Sequence, residues 1–480
     1  MTRKSLIKNS IFNIIYTAVN LLFPLITSVY ISRILLPAKI GAVSYAQNIA
    51  SYFVTLAILG LNSYGTREVA KVRENQEKLN QLFTELIVLN TISSTVASIA
   101  YIVLVLVNNG MRASLGLYVV CGLPILFNYI NVDWLYQGEE EYVYISCRSI
   151  FVKIASFFAL LVFVKTPSDY VVYALIGSLA TGGNYIFNIV HTNKFVSLDF
   201  SNLNFKRHLK PNFILAASIF LSTLYNKTDI TMLGFMASDE QVGYYSYAHK
   251  IIIMAVTAGI AISTVFLPRL SYSYKYDIEE FKRLIKKGTQ ILSFLLFPMA
   301  IGLFVIADEI VRLLFGEAFI ASVVTIKIFV PLIFINGFGN LLCYQVVLCT
   351  GNERKRLPTY AAGAIANIII NICLIPTLAE NGAAIASVIS ELIVNLYQFI
   401  VMRKIVALPI DKKAVGQAVM TSVLMGTVLC LVKIYLSLPD FMIVMISVCI
   451  GCLVYIFLNY FIRNELLMQI QKMLRERIKL

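Results

Sequence analysis

Fourteen apolar runs follow one another along this chain with little between them. They fall near 9–34, 40–61, 84–108, 115–135, 146–165, 170–190, 212–236, 242–267, 288–307, 321–349, 360–378, 382–402, 415–436 and 441–462. A membrane-spanning helix needs about 20 apolar residues. The runs therefore predict an all-α integral membrane protein of about fourteen transmembrane helices. Composition agrees: 59% of the 480 residues are hydrophobic and 14% are charged, against roughly 45–50% and 25% in soluble domains. No stretch is left for a separate soluble domain. The first run is longer than the roughly 7–15-residue core of a signal peptide. Ser32-Arg33 at its end is a poor cleavage site, so it is read as an uncleaved span. The short run 306–320 is expected to be an interfacial turn.

Charge placement tests this count. Lysine and arginine collect in cytoplasmic loops. With the N-terminus inside, thirty of the forty basic residues fall on the inner side, five in outer loops and five within spans. A missed or extra helix would scramble that alternation, so both termini are expected to be cytoplasmic. The net charge of +14 then faces anionic lipid rather than nucleic acid. Three stripes have helical spacing and are read as short helices lying in the interface. They are Val69, Val72, Leu79 and Leu82; Ile278, Phe281, Leu284 and Ile285; and Leu466, Ile470, Met473, Leu474 and Ile478. The eight cysteines mostly lie inside apolar runs and form no disulfide framework or zinc spacing. No phosphate-cradling G-x-x-x-x-G-K-[ST] loop is present. Neither cofactor nor metal is expected.

The second and eighth spans are related. Residues 41–67 match residues 243–269 at nine of 27 positions without a gap, including Gly41/Gly243, Ser44/Ser246, Tyr45/Tyr247, Thr55/Thr257 and Arg67/Arg269. The offset is 202 residues. Six helices separate the two copies, so both run the same way. This predicts two pseudo-symmetric six-helix lobes, 1–195 and 205–402, related by an axis along the membrane normal. Helices 13 and 14 over 415–462 form an appendix, followed by a cytoplasmic basic amphipathic tail, 463–480.

Ordered motifs over some 350 residues of the chain carry a family likeness. They are Pro37 through Tyr45, Asp133-Trp134-Leu135-Tyr136-Gln137-Gly138 with Glu140 and Arg148, Asp229 with Leu233-Gly234, and Leu314-Phe315-Gly316. Asn367 and Asn371, Leu374-Ile375-Pro376 and Gly382-Ala383-Ala384 follow. In these the chain resembles the polysaccharide transporter family, the Wzx-type O-antigen and capsule repeat-unit flippases. Multidrug and toxin extrusion pumps and lipid II flippases belong to the same superfamily. The resemblance implies two lobes around a cationic cavity in a bacterial cytoplasmic membrane. It implies a substrate of oligosaccharide on undecaprenyl pyrophosphate, moved from the inner to the outer leaflet. Partners would be that substrate and membrane lipids, with a polysaccharide polymerase or initiating transferase as a further candidate.

A pyrophosphate needs cations, and a lysine at mid-bilayer costs about 2.5–3.5 kcal/mol on insertion scales. Five lysines lie within spans: Lys153, Lys227, Lys250, Lys327 and Lys433. Lys433 is expected to snorkel to the outer surface, and snorkelling also competes for Lys153 and Lys327. Lys227 and Lys250 lie deeper, both about 12–14 Å below the outer surface at 1.5 Å rise per residue, and lead the cavity candidates. Thr223, Lys227 and Thr231 share one helix face. Ser218, Ser222, Asn226 and Asp229 share another. Asn48, the repeat partner of Lys250, is a further cavity candidate. Asp229 and Glu391 are candidate coupling acids, with hydrogen-bonded structural roles as the plainer alternative. Asn367 and Asn371 read as helix-packing residues, and Trp134 as an interfacial anchor. The favoured reading is a lipid-linked sugar flippase and not an enzyme. The alternative is a cation-coupled drug exporter of the extrusion type, which the extra helix pair disfavours. A membrane transferase would need paired loop acids, and Glu139-Glu140-Glu141 is a weak candidate for that.

Overall fold

In hydrocarbon a backbone polar group must find its partner within the protein, and a helix supplies one for every residue of a span. The computed structural model describes residue 19 and residues 23–192, 194–201, 203–436 and 438–478. The start of the first expected span, with Arg3, Lys4 and Lys8, lies outside them. Among the described residues every regular element is helical. Nine helices there are long and apolar enough to cross a membrane, and two shorter apolar helices, Phe23–Ile34 and Leu115–Ile130, accompany them. The all-α membrane architecture is as expected. Several of the long helices are composite. Pro37–Ile58 runs into Leu61–Val72 through Leu59 and Gly60, both left-handed (φ 47° and 73°). Arg356–Arg403 is broken at Ala379 (φ 48°, ψ −125°), three residues after Pro376, which separates the expected spans 360–378 and 382–402.

The chain divides into two compact units, Met1–Gly243 and Tyr244–Leu480. In the first, Pro37 starts its helix at a position where a missing N–H costs nothing. The helix packs on Gln76–Val107, Leu115–Phe127 and Lys206–Met236. Glycines set these approaches. A Cβ on Gly234 would lie 2.2 Å from the Tyr45 ring. A Cβ on Gly41 would lie 1.6 Å from the Asp239 carbonyl oxygen, and one on Gly243 would lie 2.2 Å from the Pro37 carbonyl oxygen. Pro37 and Asp239 are themselves 202 residues apart. The contact is thus reciprocal: each glycine meets the repeat partner of the residue the other meets.

Two expectations change in this unit. Trp134 is no interfacial anchor: it is 1% exposed. Its ring packs beside Phe83 and over Gly65, where a Cβ would come within 2.8 Å. The reason is the Asp133–Gly138 turn, which folds back onto Leu61–Val72. Val69, Leu79 and Leu82 join the same buried core, so that stripe faces protein rather than the membrane surface.

In the second unit Ile278–Val305 packs along Lys412–Tyr435. Phe281, Leu284 and Ile285 are buried on it. The second stripe is therefore the start of a long helix, capped by Asp277 accepting from the Glu280 N–H at 3.0 Å. The run 306–320 is more than a turn: Ala307–Phe315 is a helix, ended by Gly316 at φ 86°. Glu465–Ile478 is helical, with Asn464 accepting from the Leu466 N–H at 3.0 Å. The side chains of Ile470, Met473, Leu474 and Ile478 lie outside those described.

Candidate functional site

Along Tyr142–Phe163, Arg148 and Ser149 are neighbours, Lys153, Ser156 and Leu160 follow at steps of four, three and four residues, and all five are buried. That spacing puts them on one face of the helix. Phe151, Ile154, Phe158 and Val162 are exposed on the other. The polar face points inward and the apolar face outward, as suits a helix whose outer solvent is lipid. The polar face opens on a cavity of about 430 Å³ inside the first unit. Thr27, Gln47, Tyr173, Thr181 and Asn184 add neutral hydrogen-bonding groups to its wall.

The cations of this cavity are held in place. Arg148, 6% exposed, donates from its terminal nitrogens to Asp133 Oδ1 at 2.8 Å and to Asn188 Oδ1. Asn188 Nδ2 in turn donates to the same Asp133 oxygen at 3.3 Å. The guanidinium also lies 5.4 Å from the centre of the Tyr144 ring. Among the described residues Arg148 Nε has no hydrogen-bond partner. Lys153 stands five residues further along, 9% exposed, with its ammonium 5.6 Å from the Phe23 ring centre. Two cations beside a wall of hydroxyls and amides suit an anion joined to a polyhydroxyl compound.

Of the candidates taken from the sequence, only Lys153 lines this cavity. Asn48, Thr223 and Thr231 lie in the seam between Pro37–Ile58 and Lys206–Met236. Asn48 Nδ2 donates to the Lys227 carbonyl at 3.2 Å and to Thr231 Oγ1 at 2.8 Å. Tyr52 meets Thr231 at 2.7 Å, and Thr55 meets Thr223 at 3.5 Å. Asp229 is buried on the same helix. In the second unit the Lys250 ammonium sits 4.5 Å from the centre of the Tyr247 ring. Glu391 accepts from Asn395 Nδ2 at 3.3 Å. Asn371 Nδ2 donates to Asn367 Oδ1 at 3.0 Å, one turn away on the same helix.

Lys433 pairs with Glu309 at 2.9 Å and donates to the Val305 carbonyl at 2.8 Å. Lys327 pairs with Asp308 at 2.8 Å. The acids of the Ala307–Phe315 helix thus reach both lysines. Arg148 and Asp133 carry part of the family likeness in the sequence but are not among its candidate site residues. Arg148 is counted with the inner-loop cations although it lies two residues inside the expected span 146–165. Its place in a stripe with Ser149, Lys153 and Ser156 is the signal that would have found it.

A family model described as "Polysaccharide biosynthesis protein" matches residues 6–273. A protein of Escherichia coli K12 named as an O-antigen transporter is 24% identical over 82% of this chain and 96% of its own length. One of Haloferax volcanii, named as a low-salt glycan biosynthesis flippase, is 25% identical over 51% of this chain and 54% of its own. The solved structure of the lipid II flippase MurJ in an inward closed conformation superposes with a TM-score of 0.79 at 15% identity, covering 95% of this chain and 99% of that one. That likeness is one of fold. With more than half of its length matched by the family model, and with the fold and the ordered motifs in agreement, the chain belongs to the polysaccharide biosynthesis protein family.

Proposed function

We propose that this protein is a flippase. It moves an undecaprenyl-pyrophosphate-linked oligosaccharide from the inner to the outer leaflet by alternating access, for the synthesis of a surface polysaccharide. The observation that carries the reading is the cavity of the first unit, where Arg148 and Lys153 face neutral hydrogen-bonding groups inside a membrane fold. The pyrophosphate sits against the two cations, and the sugar meets the hydroxyls and amides. Lys227 and Lys250 are further anion-binding positions, and Asp229 and Glu391 are coupling acids. The protein lies in a bacterial cytoplasmic membrane with both termini inside, in reach of a polymerase or initiating transferase. Lobes 1–195 and 205–402 form the two halves. The reciprocal approach of Gly41 and Gly243 supports that symmetry, since each meets the repeat partner of the residue the other meets.

Deletion in the native cell tests the function. Lipid-linked oligosaccharide should accumulate in the inner leaflet and surface polysaccharide should be lost. Unchanged leaflet distribution contradicts the reading. Single cysteines test the orientation in a background free of native cysteine. Those at Asn109, Ser168 and Asp239 should react with impermeant reagents from outside, and those at Gln76, Asn204 and Tyr276 should not. Lys227→Ala and Lys250→Ala should each insert normally and lose export. The arginine variants should keep part of it, because charge matters more there than fork geometry.

A further inference from the structure

We propose that Asp133 is the resident counter-ion of Arg148, standing in for the substrate's anion in the empty cavity and giving way when the substrate binds. The proposal rests on the flippase reading and adds to it how the site releases and resets. A guanidinium removed from water needs an anionic partner. A carrier that returns empty must find that partner within itself. Asp133 lines the same cavity as Arg148 and Lys153, and its carboxylate meets the guanidinium at 2.8 Å.

Asn188 makes the pair adjustable. Its Oδ1 accepts from Arg148 while its Nδ2 donates to Asp133 Oδ1 at 3.3 Å and to the Ile130 carbonyl at 3.3 Å. The carboxylate therefore keeps a donor at Asn188 when the guanidinium turns to another anion. The Asp133 side chain is 16% exposed against 4% for Arg148, so the carboxylate has the readier access to water as it lets go. A pyrophosphate brings more charge and more acceptor oxygens than one carboxylate, so it can displace Asp133. The carboxylate then competes for Arg148 and promotes release. Asp133 is a positioning residue here: it acts on the substrate through Arg148.

Two near-isosteric variants move the balance in opposite directions. Asp133→Asn removes the competing charge, and Asn188→Asp adds a second one. Each is purified as the full chain in nanodiscs and checked for thermal unfolding. Each is then titrated with undecaprenyl pyrophosphate, with undecaprenol as the uncharged control. Asp133→Asn should bind the pyrophosphate about tenfold more tightly and Asn188→Asp about tenfold more weakly, with undecaprenol binding unchanged. Asp133→Asn should also export more slowly in cells in spite of its tighter binding. A folded Asp133→Asn protein that binds no more tightly than wild type overturns the proposal. If that variant does not fold, unchanged binding by Asn188→Asp does the same. A wild-type protein that binds the alcohol as well as the pyrophosphate would instead refute the flippase site itself.

Discussion

Cations inside the apolar helices serve different ends in the two units. In Met1–Gly243, Arg148 and Lys153 share one helix face and open onto a polar cavity of about 430 Å³. In Tyr244–Leu480, Lys327 and Lys433 end on Asp308 and Glu309. A cavity of about 370 Å³ in that unit is walled by Phe297, Phe334, Phe338 and Leu342 and is almost wholly apolar. Hydropathy treats all these charges alike. What separates them is the company they keep: Arg148 and Lys153 line a polar cavity, Arg148 while paired with Asp133, whereas Lys327 and Lys433 close ion pairs with Asp308 and Glu309.

The comparison breaks most sharply at export. Arg148→Ala combined with Lys153→Ala should lower surface polysaccharide at least about 100-fold, the scale of losing two charge contacts to a bound anion. Lys433→Met should leave export at the native rate per folded molecule and show its effect in stability. Glu309 is 5% exposed, and stranding such a carboxylate costs about 3–5 kcal/mol. Adding Glu309→Gln should restore most of that loss in detergent unfolding. Loss of export by the restored double variant would erase the distinction between the units.

Smaller effects sharpen it. Asp411 caps Lys412–Tyr435, accepting from the Ala414 N–H at 3.0 Å and from Gln290 at 2.7 Å. Burial alone would raise its carboxyl, but these donors and Lys286 outweigh it and hold the group below the usual carboxylate range. The sign follows: this stability is present above the ordinary pKa of about 4 and fades as pH falls through the lowered value. Asp411→Ala should cost about 1 kcal/mol of unfolding stability near neutral pH. The mutant and wild type should converge in strong acid, and a gap that widens there would contradict the cap. Lys327→Met should change stability least, by under about 1 kcal/mol, because the Lys327–Asp308 pair is about one-third exposed.

The helices and the family were legible because lipid leaves the backbone little choice and because the motifs keep their order. Lys153 was legible as a cation inside a span. Arg148 was not, since it lies only two residues into the expected span 146–165 and counts there with the loop cations, whereas its helix begins a turn earlier, at Tyr142. Trp134 misled for a related reason. Aromatic belts explain tryptophans at a membrane surface, but here a turn carries the ring over Gly65, and only that glycine leaves room for it. Lys433 lies in the last turn of its helix, and Lys327 was legible as a cation within a span. Their partners sit on the Ala307–Phe315 helix, which sequence took for a turn. A tertiary ion pair depends on a contact that no local pattern in the sequence records.

The central claim is that Arg148 and Lys153 carry the pyrophosphate of the substrate through the membrane. Its direct test is translocation of a pyrophosphate-linked oligosaccharide in proteoliposomes, comparing wild type with the Arg148→Gln, Lys153→Gln double variant reconstituted at equal density. The account predicts rapid translocation by wild type and a background rate for the variant. Translocation at the wild-type rate by the folded variant would contradict it.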